Sequence, residues 1–439
     1  MDRRNFLKNS TKVGAALMAL SLTPLKAKEK SNSLIGLKKD PNKLFNLPNF
    51  LEYKVVAKNG EIMSDGLQTP PRPDGMACFQ NKDGTITLIK NHEIGSRRLP
   101  SSYDSNLPQS ISYDTNFAGV PYTGGTTNLV LDPQSLRKIN HYRSLAGTVN
   151  NCAGGKTSWG SWISCEETRM EGHGYAFEVY ADKQMSSVRR LNYMGRFNRE
   201  AVSIYEPNGI VYQTEDDPSG LFYRFLPSNK KDLTKPGKLQ ALKIKSQIDP
   251  RNQKNNIKMG SRFEVEWVDI QDFDAKEQTT KQQGLIQGAS PFNGSEGIIT
   301  DKDSVFFTCK DGGFKEYGQI FRYYPSKYEG TKEEERAPGV IELYYESNSK
   351  NEYWGGDNIV ISPWGDLIIC EDNGSRGCKL LGIDPRGNLY AIGQVVDSSS
   401  EIAGVCFSPD GNTMFLNIQD EGKTIAIYGD WSKIKSLKA

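Results

Sequence analysis

Residues 357–372 read DNIVISPWGDLIICED: an apolar strand, the turn Ser362-Pro363-Trp364-Gly365, a second apolar strand, and then acid. Two short apolar runs separated by Pro and Gly turn chemistry form a β-hairpin. The unit recurs. EAVSIYEPNGIVYQTE from Glu200 has the same pattern, EGIITDKDSVFFTCKD from Glu296 has its shape, and NCAGGKTSWGSWISCEET, counted from Cys152, is a fourth copy. MACFQNKDGTITLIKN from Met76 and AGVCFSPDGNTMFLNIQ from Ala403 add two copies with weaker ends.

Six hairpins in a chain rich in Gly and aromatic residues and poor in helical periodicity specify an all-β protein, a six-bladed β-propeller with loop insertions. Radial repetition of small sheets removes long exposed edges. The uneven starts at 76, 152, 200, 296, 357 and 403 mean loops of different length, the longest being an insertion at about 227–290. That insertion is polar and lysine-rich, and KSQIDPRNQKNNIKMG within it reads as a surface excursion. After Ala403 only about three strands fit, so Glu52–Ala57 is expected to complete the last blade. Residues 51–439 then form a single domain, preceded by a segment at 28–50.

The hairpin ends carry the chemistry. Fifteen residues after Cys152, Glu200, Glu296 and Asp357 stand Glu167, Glu215, Asp311 and Asp372, all acidic in a chain with 53 Asp and Glu among 439 residues. In the two weaker copies Asp74 and Glu401 stand two residues before the aligned start, on the same strand face. One mouth of the central channel is therefore expected to be ringed by carboxylates. Crowded carboxylates must take up protons or cations, so the ring implies a metal cluster at that mouth. Only three histidines occur, His92, His141 and His173. The ligands are then mainly oxygen, which suits Ca²⁺. Cys152 adds a thiolate, a poor calcium ligand and a good one for iron or zinc.

Other features narrow the class. A formal charge of +2 gives no footprint for nucleic acid. Seven cysteines without a C-x-x-C pair are no disulfide framework, although Cys370 and Cys378 are close enough in sequence to pair. Arg3-Arg4-Asn5-Phe6-Leu7-Lys8, the apolar stretch Val13–Leu22 and Ala27 have the form of a twin-arginine signal peptide over residues 1–27. Its apolar run is too short for a membrane anchor. A periplasmic or secreted location follows, with the twin-arginine export machinery as partner and a monomer as the expected state. GTTNLVLDP lacks the Lys of a phosphate loop and reads as a blade strand. Trp159 and Trp162 read as packing between blades, and GTKEEERAPG at 330–339 as a solvated loop.

The motifs NNCAGGKTSWGSWISCEE, MGRFNREAV, GGDNIVISPWGDLIICEDN and EIAGVCFSPDGNTMFLNIQ resemble those of the PhoX-type alkaline phosphatases, the DUF839 family, with similar pieces from about Met76 to Gln419. The resemblance implies a six-bladed propeller that hydrolyses small-molecule phosphate monoesters with two Fe³⁺ ions, two to three Ca²⁺ ions and a bridging oxo group. Carried onto this chain, Cys152 is the iron thiolate. Glu200, Glu296 and Asp357 bind iron or bridge to calcium, while Glu167, Asp372 and Glu401 hold calcium. Glu93, Glu166 and Glu371 are further candidates. The chain departs from the family pattern twice: Gly294 stands where the pattern has an arginine for phosphate, and Arg199 where it has a histidine. Arg199, Arg196 and Lys310 are the candidates to supply the missing cation, with Arg199 and Lys310 as the catalytic pair.

Phosphatase chemistry fits such a ring, because clustered cations screen the approach of a phosphate dianion and stabilise the leaving oxygen. Two alternatives use the acids without Cys152. One is a calcium-dependent propeller hydrolase such as a lactonase or phosphotriesterase; the other is a binding propeller that uses calcium for rigidity.

Overall fold

The structure, a computed structural model, describes residues 36–97, 107–185, 187–375 and 377–436. The twin-arginine signal, its cleavage after Ala27 and the start of the 28–50 segment lie outside the described residues. Strands dominate, and no helix among the described residues is long and apolar enough to cross a membrane.

Each sequence repeat is an antiparallel hairpin: Pro73–Gln80 with Ile86–His92, Asn151–Lys156 with Ser161–Glu166, Arg199–Tyr205 with Ile210–Glu215, Ser295–Thr300 with Val305–Cys309, Gly356–Ile361 with Leu367–Glu371, and Ile402–Phe407 with Thr413–Ile418. The first strands of these hairpins pack side by side in that order, and the sixth returns to the first, so they close a ring. The sheets extend outward from it. This is an all-β, propeller-like fold.

Strand pairing divides the ring into fewer sheets than the sequence suggests. Two sheets have four strands, one has three, one has six, and the hairpins at Arg199 and Ser295 share a single nine-stranded sheet. The join is the segment expected to be a polar excursion. It contributes two strands, Gly237–Ile244 and Arg262–Ile270, and Arg262–Glu264 pairs with Val340–Glu342 of the next hairpin's sheet. Its lysines mask the strand pattern, because Leu239, Ala241, Leu242 and Ile244 are buried while Lys243 pairs with Glu266 across the strand at 2.8 Å. The lysine- and asparagine-rich stretch at 245–261 remains loop.

An early strand and the last strand of the described chain meet in one sheet. Leu51–Lys58 pairs antiparallel with Lys423–Gly429, beside Thr413–Ile418. This covers an edge that would otherwise expose unpaired N–H and C=O groups. Gly124–Leu131, which contains GTTNLVLDP's apolar part, is a buried strand. The 330–339 charge run is more than a solvated loop: Glu334 pairs with the buried Arg224 at 2.6 Å, and Arg224 also binds Glu329 and covers the Trp267 ring. All seven cysteines are free, and Cys370 and Cys378 are both buried in the apolar core.

Aromatic stacking fills the nine-stranded sheet's core. Phe222 is fully buried, with its ring 4.4 Å from that of Phe307 and 5.8 Å from Tyr212. Phe222→Ala is expected to lower unfolding free energy by about 3–5 kcal/mol in denaturant titration, since it opens a cavity between two hairpins.

Candidate metal centre

Every hairpin carries the same irregularity. The pairing register shifts between residues 73 and 76, 151 and 154, 199 and 202, 295 and 298, 356 and 359, and 403 and 406. A bulge re-aims the side chain it contains. The residues opening these bulges are Asp74, Cys152, Glu200, Glu296, Asp357 and Gly404. Five potential ligands thus occupy one structural position around the ring, and the sixth hairpin has glycine there. A Cβ at Gly404 would lie 2.3 Å from the Asp74 carbonyl oxygen, so no side chain fits. That hairpin supplies Glu401 instead.

The second strands give an outer position. The residue just past the last paired one is Glu93, Glu167, Asp216, Lys310 or Asp372, and its N–H bonds the carbonyl of Arg72, Asn150, Asn198, Gly294 or Gly355 respectively. This corrects the fifteen-residue count. From Cys152 and Asp357 the equivalent residue is fifteen on, but from Glu200 it is Asp216 and from Glu296 it is Lys310. A slip of one residue turns a side chain to the other face. Glu215 accordingly points away, accepting from Tyr223 at 2.8 Å and the Leu221 N–H at 3.1 Å, and Asp311 is exposed. Glu166 and Glu371 are also turned away. Glu166 accepts from the Val149, Gly174 and Tyr175 N–H groups and contacts His173 at 2.6 Å, while Glu371 accepts from Trp354 and Lys379 N–H.

The remaining acids converge. Three groups of side chains place one ligand atom each within 4.8 Å of one another: Cys152 with Glu167 and Glu200, Asp74 with Glu93 and Glu401, and Glu200 with Glu296 and Asp357. Glu200 belongs to two of them. Asp372 stands beside them, 3.7 Å from Lys310 Nζ. All three histidines lie elsewhere among the described residues: His92 bonds Pro71 O and Thr127, His173 bonds Glu166 and Asp114, and His141 is buried in the sheet of Lys138–Thr148.

Main-chain clasps hold the ring. Asn91 donates to the carbonyls of Cys152 and Ala153, Thr214 to Glu296 O, Thr308 to Asp357 O and Asn417 to Asp74 O, at 2.5–2.8 Å. In each case one hairpin grips the ligand-bearing bulge of the next. Backbones also approach closely beneath the ligands: a Cβ at Gly75 would lie 2.5 Å from Ala153 Cα. The channel continues past them as a cavity of about 620 Å³, walled by residues such as Val202, Ile299, Val360 and Phe407, toward the hairpin turns.

The charges are uncompensated by the protein alone. Both carboxylate oxygens of Glu200 and Oδ1 of Asp74 are buried without a hydrogen-bond partner. Burial, and then the charges of Glu296 and Asp357, hold the Glu200 carboxyl well above its usual range. Burial and Glu93 do the same to Asp74, and burial and Asp74 to Glu401. Glu167 is pushed up to about 8 by burial and Asp216, and Asp357 to about 7 by burial and Asp372. The Cys152 thiol is raised by burial and Asp74, whose carboxylate is 3.8 Å away. Buried carboxylates with unpartnered lone pairs around a thiol fit a group of cations with one thiophilic member.

Of the expected cations, Lys310 is in place, with Nζ 2.6 Å from Glu296 and 3.3 Å from Asp216. Arg199 is not. It neighbours Glu200 on the strand and so faces the opposite way, donating to Gln213 and the carbonyls of Gly174, Met194 and Gly195. Arg196 is likewise spent on the carbonyls of Arg169, Met170 and His173. Arg72 was not singled out by the sequence, yet it holds in the first hairpin the place Gly294 holds in the fourth, and binds Glu93 at 2.5 Å.

Metal removal has a calculable sign. Carboxyls raised by the fold bind protons that the unfolded chain releases, so folding is favoured at low pH and loses stability as pH rises. The window runs from the ordinary carboxyl range to the values of about 7 and 8 at Asp357 and Glu167. Chelator-treated protein is expected to melt progressively lower from about pH 5 to pH 8 by calorimetry. Added calcium should restore most of the loss at pH 8.

A family model described as alkaline phosphatase PhoX matches residues 122–422. Among curated proteins none matches the chain significantly. Of solved structures, Pseudomonas fluorescens PhoX in complex with vanadate, a transition state analogue, is similar at TM-score 0.69 and 16% identity, over 91% of this chain and 98% of that one. XC5397 of Xanthomonas campestris, a gluconolactonase, reaches TM-score 0.45 and 10% identity over 91% of this chain and 99% of that one, too low a similarity to bear on function. The family match spans the Cys152, Glu200, Glu296, Asp357 and Glu401 positions, and the chain belongs to the alkaline phosphatase PhoX family.

Proposed function

We propose that this phosphomonoesterase works at one mouth of a six-bladed propeller through an iron and calcium cluster held by Cys152, Glu93, Glu167, Glu200, Glu296, Asp357 and Glu401, with Asp74 added and Asp372 at its edge beside Lys310. The observation that carries this is the unpaired, fully buried Glu200 carboxylate shared between two ligand groups, one of which contains the thiol. The ring of six hairpin strands supports the blade count; the nine-stranded sheet is then two blades joined at their outer edges.

Bound there, iron and calcium would screen the charge of a phosphate monoester, orient in-line displacement and stabilise the leaving oxygen. The chain's own residues do the rest. Cys152 offers the soft donor that favours iron over calcium, and the carboxylates offer hard oxygen to calcium. Asn91, Thr214, Thr308 and Asn417 fix the bulges, so ligand atoms are positioned before any cation arrives. Lys310 places an ammonium against the cluster, where it can take up charge on the substrate's oxygens. Arg72 adds a second positive group beside Glu93.

The substrate class is small phosphate monoesters, in keeping with the vanadate complex of the Pseudomonas fluorescens relative. Arg3-Arg4 and the apolar stretch after them support export by the twin-arginine machinery to the periplasm or beyond, the chain acting as a monomer. Cys152→Ser, purified without chelator, is expected to lose iron and p-nitrophenyl phosphate hydrolysis together. Full hydrolysis by an iron-free variant would sink the iron assignment.

A further inference from the structure

The outer position of the ring is acidic in the first, second, third and fifth hairpins, as Glu93, Glu167, Asp216 and Asp372; in the fourth it is Lys310 and in the sixth Gln419. The Lys310 ammonium lies 2.6 Å from Glu296, 3.3 Å from Asp216 and 3.7 Å from Asp372. An ammonium has three donors and no acceptor, which suits three surrounding carboxylates. Asp216 and Asp372 are also the two cluster acids that belong to none of the three ligand groups among the described residues. Two of the three carboxylates facing Lys310 thus lie outside the ligand groups, and the third, Glu296, shares its group with Glu200 and Asp357.

The neighbouring residue leaves room for this arrangement. A Cβ at Gly294 would lie 3.2 Å from Lys310 Cγ, 3.4 Å from an Asp216 carboxylate oxygen and 3.4 Å from an Asp311 oxygen. Gly294 has φ 61°, in the left-handed region, and its carbonyl accepts the Lys310 N–H at 2.7 Å. A long side chain at 294 would run where the Lys310 stem runs. Glycine there and lysine at 310 form one arrangement: the stem crosses the space, and the ammonium ends among the acids.

We propose that the Lys310 ammonium takes the place of one divalent cation, so that this chain neutralises the Asp216, Glu296 and Asp372 sector with its own charge and binds one calcium fewer than it would without the Lys310 ammonium. The assignment rests on the cluster reading above. It makes Lys310 a positioning residue for the ring's carboxylates. A lysine contributes one charge where calcium contributes two, and it stays when free calcium falls. The sector should therefore keep its geometry at calcium levels that empty the other groups.

The test is elemental analysis of full-length protein reconstituted with iron and calcium and freed of unbound ions. Lys310→Ala is expected to carry one calcium per chain more than the wild type, and Asp216→Asn to carry the wild-type number. An unchanged or lower count in Lys310→Ala overturns the proposal, as does loss of one ion in Asp216→Asn. Should Lys310→Ala fail to fold, Asp216→Asn alone decides, since only a metal held by Asp216 would depart with its charge. A wild type that binds neither iron nor calcium overturns the cluster reading itself, and the assignment with it.

Discussion

Mutual repulsion among buried carboxylates is the constraint on which the rest of this structure turns. Glu200, Glu296 and Asp357 present oxygens within 4.8 Å of one another at side chains that are at most 5% exposed. Like charges at that separation in a low-dielectric site do not remain together unaided. The fold supplies the mechanical half of the answer. Each ligand opens a bulge on a strand of a closed ring, and side chains of neighbouring hairpins clasp the carbonyls of four of these bulges. The electrostatic half has to come from positive charge, of which the chain contributes Lys310 and Arg72 and leaves the remainder to metal ions.

That division explains the local architecture. A residue that must project into the channel cannot also satisfy the sheet, so the sheet's own polar needs at the hairpin ends are met by the adjacent acids. Glu166, Glu215 and Glu371, each opposite the residue just before a ligand, accept main-chain N–H groups or a tyrosine hydroxyl instead of meeting the cluster. The doublets Glu166-Glu167, Glu215-Asp216 and Glu371-Asp372 therefore divide labour. The first acid of each secures the strand end, and the second faces the channel.

The all-β class and the repeated hairpin were legible because apolar strands, turn chemistry and terminal acids recur together. Most of the ligand set was legible for the same reason. What could not be read was register. The strands and turns of the Glu200 and Glu296 hairpins differ by single residues from those of the Cys152 hairpin, and period-two alternation converts that difference into the opposite face, which exchanged Asp216 for Glu215 and hid the equivalence of Lys310. Arg199 misled for the same reason, since adjacency to Glu200 in sequence means opposition in a strand. The lysines of residues 237–245 concealed the strand Gly237–Ile244, because Lys238, Lys243 and Lys245 flank the buried Leu239, Ala241, Leu242 and Ile244 without a clean two-residue alternation. Arg72 had no motif at all; only the shared hydrogen bond from the outer residue reveals it as the counterpart of Gly294.

A thiol and hard carboxylates share one neck, and the proposed cluster would place iron at a single atom, Cys152 Sγ. Anomalous diffraction from crystals of chelator-free protein, recorded on either side of the iron edge, tests it most directly. The account predicts an iron peak bonded to Cys152 Sγ with Glu200 as a neighbouring ligand, and further non-iron cations among Asp74, Glu93 and Glu401. Iron absent from Cys152 while calcium fills the carboxylate groups would contradict it.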